Sequence, residues 1–434
     1  MPSSVVRADR SEARLLRYVW IGLVVLFALP ALVFTMIRAL RQTGRPDATG
    51  ARLGFVARRH DRPLWFHAAS VGEVQALLPL VRALRQSDPE LPLQFTTFTA
   101  AGMARLRSAL GPDTAVAPVP LDLPLCARAF VARIRPRALC VIETEIWPNL
   151  LLECTAAGVP FAFVSARLTD RAAGRLDFFQ PFLAWALGPA RAVLTQSGAD
   201  ALRLRALGAP GARTRIVGNV KWDLAIDPAV TAAGNALKRE MLGGRPALVA
   251  GSTRDGEEAL VLEAFAKLRA DDPTLALVLA PRHPERADAV AAACAAAGLE
   301  CVRRSAGAPL GDSAVLLLDT LGELERWYAA GEVAFVGGSL KPFGGHNLLE
   351  PAALGLPVLA GPHQENAPEV SARLVEAGGL RIVNDAAELA AVAGALLADP
   401  GESAAMGGRA RGAVHANRGA LEHCLREIQA LVAA

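Results

Sequence analysis

Aromatic side chains are scarce in this chain of 434 residues: Phe, Trp and Tyr together make up 5%. Ala, Leu, Val and Gly therefore carry an apolar content of 52%, which suits parallel strands packed under Ala-rich helices and excludes global disorder. A strong excess of charge is also lacking. The net value of +4 is too small to point to a nucleic-acid partner. Cys126, Cys140, Cys154, Cys294, Cys301 and Cys424 form no C-x-x-C pair, and no Cys/His group has zinc spacing. They read as reduced thiols of a cytosolic body. A P-loop G-x-x-x-x-G-K-[ST] is absent, as is a dinucleotide G-x-G-x-x-G after the first expected strand. An Asp-x-Asp metal clamp is absent too, so any nucleotide site is expected to be metal-free, with no cofactor.

One long apolar run is present. Tyr18 to Ile37 holds no formal charge, and twenty helical residues span roughly 30 Å of hydrocarbon. The expectation is a transmembrane helix over 18–37 within a tail and anchor of residues 1–45, with Tyr18 and Trp20 in an interfacial aromatic belt. A secretory signal would be shorter and followed by a small-x-small site, whereas Arg38, Arg41 and Arg45 follow here. A helix lying in the interface would need a polar face, which the run lacks. Arginines flank the run on both sides. The heavier basic side is C-terminal, which places the body on the cytoplasmic side of the membrane, with its lipid as a partner.

From Pro63 the texture alternates. Strands are expected at LWFHAA, LQFTTF, ALCVIET, FAFVSA, AVLTQS and RIVGNV. A second set follows at ALVAGS, LALVLAP, AVLLLD, VAFVGGS and PVLAG, with helical patterns between strands in both sets. Such alternation predicts an α/β chain of two doubly wound, Rossmann-like domains, one over 46–225 and one over 226–434, with Asp223 to Arg245 as linker.

Ligands gather at the carboxyl ends of parallel strands, and the polar clusters fall there. Ser70, Gly72 and Glu73 follow the first strand. S-x-x-E reads as a capping box, and equally as a general base, Glu73, at the mouth of an interdomain cleft; the two are compatible. Glu143 and Glu145 close the apolar strand ALCVI, where carboxylates are costly unless paired or catalytic. Ser165 with Arg167, and Asn219 with Lys221 and Asp223, end two further strands. In the second half Gly251, Ser252 and Thr253 precede a helix, and Arg282 and His283 end the next strand. Gly337, Gly338, Gly344 and Gly345 make two Gly-rich turns before His346, Asn347 and Glu350. Gly-rich backbone and a helix N-terminus suit phosphates, and an acid one turn into the helix suits ribose hydroxyls.

HAASVGE, FTTFTAAG, PLDLP, ETEIWPN, FVSARLTDR, GNVKWD, AGSTRDGEE, APRHPER, LLLDTLGELERWYAAGEVAFVGGSL and GGHNLLEPAALGLPV stand in that order between about Leu64 and Asn366. Together they resemble the 3-deoxy-D-manno-octulosonic acid (Kdo) transferases of lipid A. The resemblance implies a GT-B fold and inverting, metal-independent transfer of Kdo from CMP-Kdo to lipid IVA. It also implies Glu73 as proton acceptor, and Glu143 and Lys221 as transition-state stabilisers. CMP contacts are implied for Pro281 with Arg282, for Leu321, Gly322 and Glu323, and for Asn347, Leu348, Leu349 and Glu350. The alternative is a UDP-sugar-dependent GT-B transferase acting on another lipid-linked acceptor. Three departures stand out. About seventeen residues precede the apolar run, Thr43 to Arg62 matches poorly, and Arg254 stands where the family pattern has histidine.

Overall fold

The computed structural model describes residues 10–43, 47–143, 145–224 and 226–433, with side chains given for 10–27 and from 50 onward. The chain divides into two compact units, Met1–Lys221 with Arg418–Ala434, and Trp222–Asn417.

The first unit holds a parallel sheet of β1 Leu64–His67, β2 Leu93–Thr97, β3 Val116–Pro118, β4 Ala138–Ile142, β5 Phe161–Ala166, β6 Ala192–Thr195 and β7 Thr214–Ile216. Its order is β3-β2-β1-β4-β5-β6-β7. Strand residues alternate between two buried faces. Trp65, Leu139, Val141, Phe161 and Phe163 fill one. Leu64, Phe66, Cys140, Ile142 and Val164 fill the other. Both faces are covered by helices, so the strands read as unbroken apolar runs.

The second unit repeats the plan with β8 Ala247–Thr253, β9 Ala276–Pro281, β10 Cys301–Arg303, β11 Val315–Leu317, β12 Val333–Val336, β13 Val358–Ala360 and β14 Leu380–Ile382. Its order is β10-β11-β9-β8-β12-β13-β14. The strand order reverses beside β1 and β4 in the first unit and beside β8 and β12 in the second. Those switch points are where an open α/β sheet leaves a crevice.

Two expectations about boundaries change. The stretch expected as a linker is a helix, Pro228–Leu242, capped by Asp227 and closed by Gly243 in a left-handed conformation. It packs so closely on the segment after Tyr328 that a Cβ at Gly234 would sit 2.5 Å from the Ala329 Cβ. The last helix, Ala420–Ala433, expected with the second domain, belongs to the first unit. Ala420, Cys424, Ile428 and Leu431 pack in the cluster that holds β1 and β4. All six cysteines are free thiols.

The first helix is Arg10–Thr43. Among the described residues no helix is long and apolar enough to cross a membrane, and residues 28–37 of the expected span lie outside those with described side chains. The belt reading of Trp20 does not hold. Its Nε1 donates to Asp122 Oδ2 at 2.7 Å, and its ring meets Phe179 edge-on at 5.2 Å. Arg17 beside it donates to Asn149 Oδ1 at 2.7 Å. Ala13 and Leu16 are buried under the same turns, while Tyr18 stays exposed. The start of the apolar run is therefore docked on the first unit by polar anchors. Asp122, from PLDLP, also accepts from the Leu150 N–H at 2.9 Å, and burial pushes its carboxyl up to about 6.

Candidate active site

In the first unit the chain turns sharply after β1 into the helix Val71–Ser87. Ser70 Oγ accepts from the Glu73 N–H at 3.4 Å, and the Glu73 carboxylate reaches back to the Ala69 N–H at 2.6 Å. Ser70 thus caps the helix as expected, while the carboxylate bonds the residue before the cap rather than the Ser70 N–H of a capping box, and these bonds fix the Glu73 side chain. Burial pushes the Glu73 carboxyl up to about 7, helped by the neighbouring charges of Glu145 and Glu143. Hydrogen bonds from Ala69 and Ser70 pull the other way and lose.

Glu143 follows β4 directly and holds a left-handed backbone, φ 57°. A non-glycine residue there is strained, and such strain collects at functional sites. Its Oε1 lies 2.7 Å from Lys221 Nζ, with the carboxylate side chain only 11% exposed. Lys221 is held in turn by its neighbours. Its N–H donates to Asn219 Oδ1, Asn219 donates to Gln196 Oε1, and Gln196 donates to the Ser165 carbonyl. Ser165 is also left-handed, φ 53°. The ends of β4, β5, β6 and the stretch after β7 therefore converge on one ion pair.

Glu145 Oε2 accepts from Trp147 Nε1 at 2.8 Å, and the same N–H reaches His67 Nε2 at 3.0 Å. Trp147 can only donate, so His67 Nε2 accepts and its proton sits on Nδ1, facing Thr96 Oγ1 at 2.9 Å. The fully buried His67 thus props Trp147 and Glu145 against the base. His67, Gln196 and Asp122 had no legible role in the sequence. A polar side chain in or next to an apolar strand is the one signal for His67 and Gln196, and Asp122, in a loop, has none.

In the second unit the switch point brings the ends of β8, β9 and β12 together. Arg282 follows β9 and is exposed, and its N–H donates to the Thr253 carbonyl at 2.9 Å. Pro281 is buried in β9 and positions Arg282 rather than facing outward. Asn347 and Glu350 meet at 3.0 Å, and burial raises the Glu350 carboxyl. Leu348 and Leu349 point into the core, which leaves only their backbone for a ligand. Leu321 is 77% exposed, Gly322 is left-handed at φ 82°, and Glu323 pairs with Arg304 at 3.1 Å.

Several amides of the Gly-rich turns, expected to cradle a phosphate, are committed within the protein. Glu257, fully buried at the start of the helix Glu257–Asp271, already holds those amides. Its Oε1 accepts from Ser339 and Leu340 N–H groups at 2.8 and 2.7 Å. Its Oε2 accepts from Gly338 at 2.6 Å and Arg254 at 2.8 Å. The Gly337 and Gly345 N–H groups go to carbonyls of Gly251 and Gly338. The following helix, Leu349–Leu354, is too short to add an N-terminal anion site.

His346 closes this side. Burial, reinforced by the charges of Arg282 and Arg254, pushes it down to about 4, so its ring is neutral near pH 7. Its Nε2 is buried and meets no hydrogen-bond partner among the described residues. The ring lies flat against Gly338, where a Cβ would come within 2.6 Å of Cδ2 at φ 70°. Gly338→Ala is therefore expected to displace His346 and weaken nucleotide binding by about tenfold, read by calorimetric titration. An unchanged Kd would refute this.

The family model described as 3-deoxy-D-manno-octulosonic-acid transferase (kdotransferase) matches residues 47–224. A 3-deoxy-D-manno-octulosonic acid transferase of Haemophilus influenzae is 37% identical, over 83% of this chain and 85% of its own length. One of Bordetella pertussis is 39% identical over 85% of this chain and 87% of its own. Among solved structures, a glycosyltransferase of Rickettsia africae matches with a TM-score of 0.55 at 12% identity, over 86% of this chain and 98% of that one, a likeness of fold.

Proposed function

This chain belongs to the 3-deoxy-D-manno-octulosonic acid transferase family, and on that premise we propose that it transfers Kdo from CMP-Kdo to a hydroxyl of a lipid A precursor, lipid IVA, in lipopolysaccharide synthesis. The observation that carries the mechanism is the Glu73 carboxylate, poised near neutrality by burial and by two neighbouring acids. A general base works best with a pKa close to the working pH.

In this reading Glu73 takes the proton of the acceptor hydroxyl. The hydroxyl oxygen forms a bond to the anomeric carbon, and the bond from that carbon to the phosphate oxygen breaks with inversion. The electron pair leaves with CMP. Lys221, held by Glu143, offsets negative charge as it develops. Arg282 faces the departing phosphate, Asn347 and Glu350 take the ribose, and Pro281, Leu348 and Leu349 contribute backbone. Leu321, Gly322 and Glu323 line the nucleotide. No metal enters any step.

Since the base must be ionised, kcat/KM should rise with pH and level off above about 7. Glu145→Gln removes one of the raising charges, so the inflection should move to lower pH. An inflection that stays in place would remove Glu145 from the tuning.

The acceptor is a lipid, and we extend the reading to attachment at the cytoplasmic face of the inner membrane through the helix Arg10–Thr43. Exposed Tyr18, Leu26 and Phe27 support contact with lipid. Alkaline extraction of membranes from expressing cells tests it. Retention in the pellet supports a span, and release indicates peripheral binding.

The decisive assay uses purified full chain, CMP-Kdo and tetraacylated lipid A precursor, read by mass spectrometry. Gain of one or more Kdo masses with release of CMP is expected, with CMP inhibiting and UDP not. Product formed from a UDP-sugar but not from CMP-Kdo would overturn the reading.

A further inference from the structure

A Kdo donor presents two separate anions, the phosphate ester and the carboxylate of the ulosonic acid. The backbone of the second unit is poorly supplied to hold both, since the amides of Gly338, Ser339 and Leu340 are committed to Glu257. Cationic side chains are the other source of anion contacts. Two arginines follow neighbouring strand ends at the switch point. β8 and β9 are paired with Thr253 opposite Pro281, and Arg254 and Arg282 are the next residue on each. Neither has a carboxylate within ion-pair range among the described residues.

Their settings differ. Arg282 is exposed, and its charge is felt at both Glu350 and His346. Arg254 is felt at His346 and is held on two sides. Its guanidinium lies 4.5 Å from the centre of the Phe343 ring, and Nη1 donates to His283 Nε2 at 3.1 Å. An arginine cannot accept, so this bond fixes His283 with its proton on Nδ1, toward Glu285 Oε1 at 3.3 Å. A stacked and tethered guanidinium has already lost its rotamer freedom, and its remaining N–H groups form a planar fork matched to a carboxylate. Arg254 thus stands one strand over from Arg282, fixed by a ring and a hydrogen bond at the end of β8.

We propose that Arg254 binds the carboxylate of the Kdo sugar and so selects the acidic donor sugar, while Arg282 takes the phosphate. This rests on the Kdo-transfer reading above. The bland account, in which Arg254 merely braces Phe343, predicts no difference between CMP and CMP-Kdo.

Equilibrium binding to the full chain, without acceptor, separates these. Arg254→Ala should weaken CMP-Kdo by roughly 10- to 100-fold and leave CMP within about twofold. Arg282→Ala should weaken both alike. CMP-Kdo carrying a carboxamide in place of the sugar carboxylate should bind the wild type as weakly as CMP-Kdo binds Arg254→Ala, and Arg254→Ala should lose nothing further with it. Arg254→Gln keeps the stack's bulk and should repeat the Ala result if folding is disturbed in the smaller variant. Equal weakening of CMP and CMP-Kdo in Arg254→Ala would make it a phosphate ligand and overturn the proposal, as would no change in either. A wild type that binds neither compound would instead sink the Kdo-transfer reading itself.

Discussion

Glu73→Gln is expected to lower kcat by about a thousandfold while leaving CMP affinity within about twofold. The substitution is chemically narrow. The amide oxygen of glutamine can still accept from the Ala69 N–H, and Ser70 still caps the helix Val71–Ser87. Geometry is kept, and only the ability to take a proton is lost. The stability effect has a sign of its own. Burial and the two acids raise the carboxyl from an ordinary 4.5 to about 7, so the folded state binds more protons than the unfolded state between those values. The wild type therefore loses stability as pH rises through that window, and Glu73→Gln does not. The variant should melt at least as high as wild type at pH 8, with the gap closing toward pH 4. A variant that keeps most of the wild-type rate would remove Glu73 from the role of base.

Glu257→Ala should have the largest effect on stability, about 5 kcal/mol, with loss of nucleotide binding. Four backbone N–H groups, from Arg254, Gly338, Ser339 and Leu340, end on this one carboxylate. Each buried donor left without a partner costs on the order of 1–3 kcal/mol. Glu257→Gln should fall between the two, because its NH2 group must face either the Gly338 and Arg254 donors or the Ser339 and Leu340 donors. Urea unfolding gives the size, and hydrogen exchange at residues 338–340 gives the place. Protection there that survives the alanine substitution would refute the assignment.

The sheets were legible where they are buried on both faces. Strands β1, β4, β5, β8, β9 and β12 read as unbroken apolar runs, and the polar clusters after them mark the switch points. The edge strands β3, β10 and β14 were not legible. Each has three residues and is partly exposed, so no apolar run announces it. Pro228 and Gly243 bound the helix taken for a linker, and those two positions are its readable signals. At the site, Glu143, Lys221 and Arg282 stood out because a charge follows a strand, and Glu73 because S-x-x-E opens the next helix. Glu257 did not, because its neighbours on the chain are polar and its burial comes from residues eighty positions away. Trp20 misled for a related reason: an aromatic at the edge of an apolar run looks the same whether lipid or Asp122 receives it.

The last helix has a consequence for how the chain comes off the ribosome. Ala420, Cys424, Ile428 and Leu431 cover a face of the first sheet whose strands begin at Leu64. All of the second unit is synthesised between them. During translation the helix Val71–Ser87 covers only its own part of that face, and the rest stays bare until residues 420–433 leave the exit tunnel. Nascent chains are thus left with an exposed apolar patch for much of their synthesis, the condition that recruits holding chaperones and invites aggregation. Removing the last fifteen or so residues should accordingly damage the first unit, at the opposite end of the sequence, and spare the second.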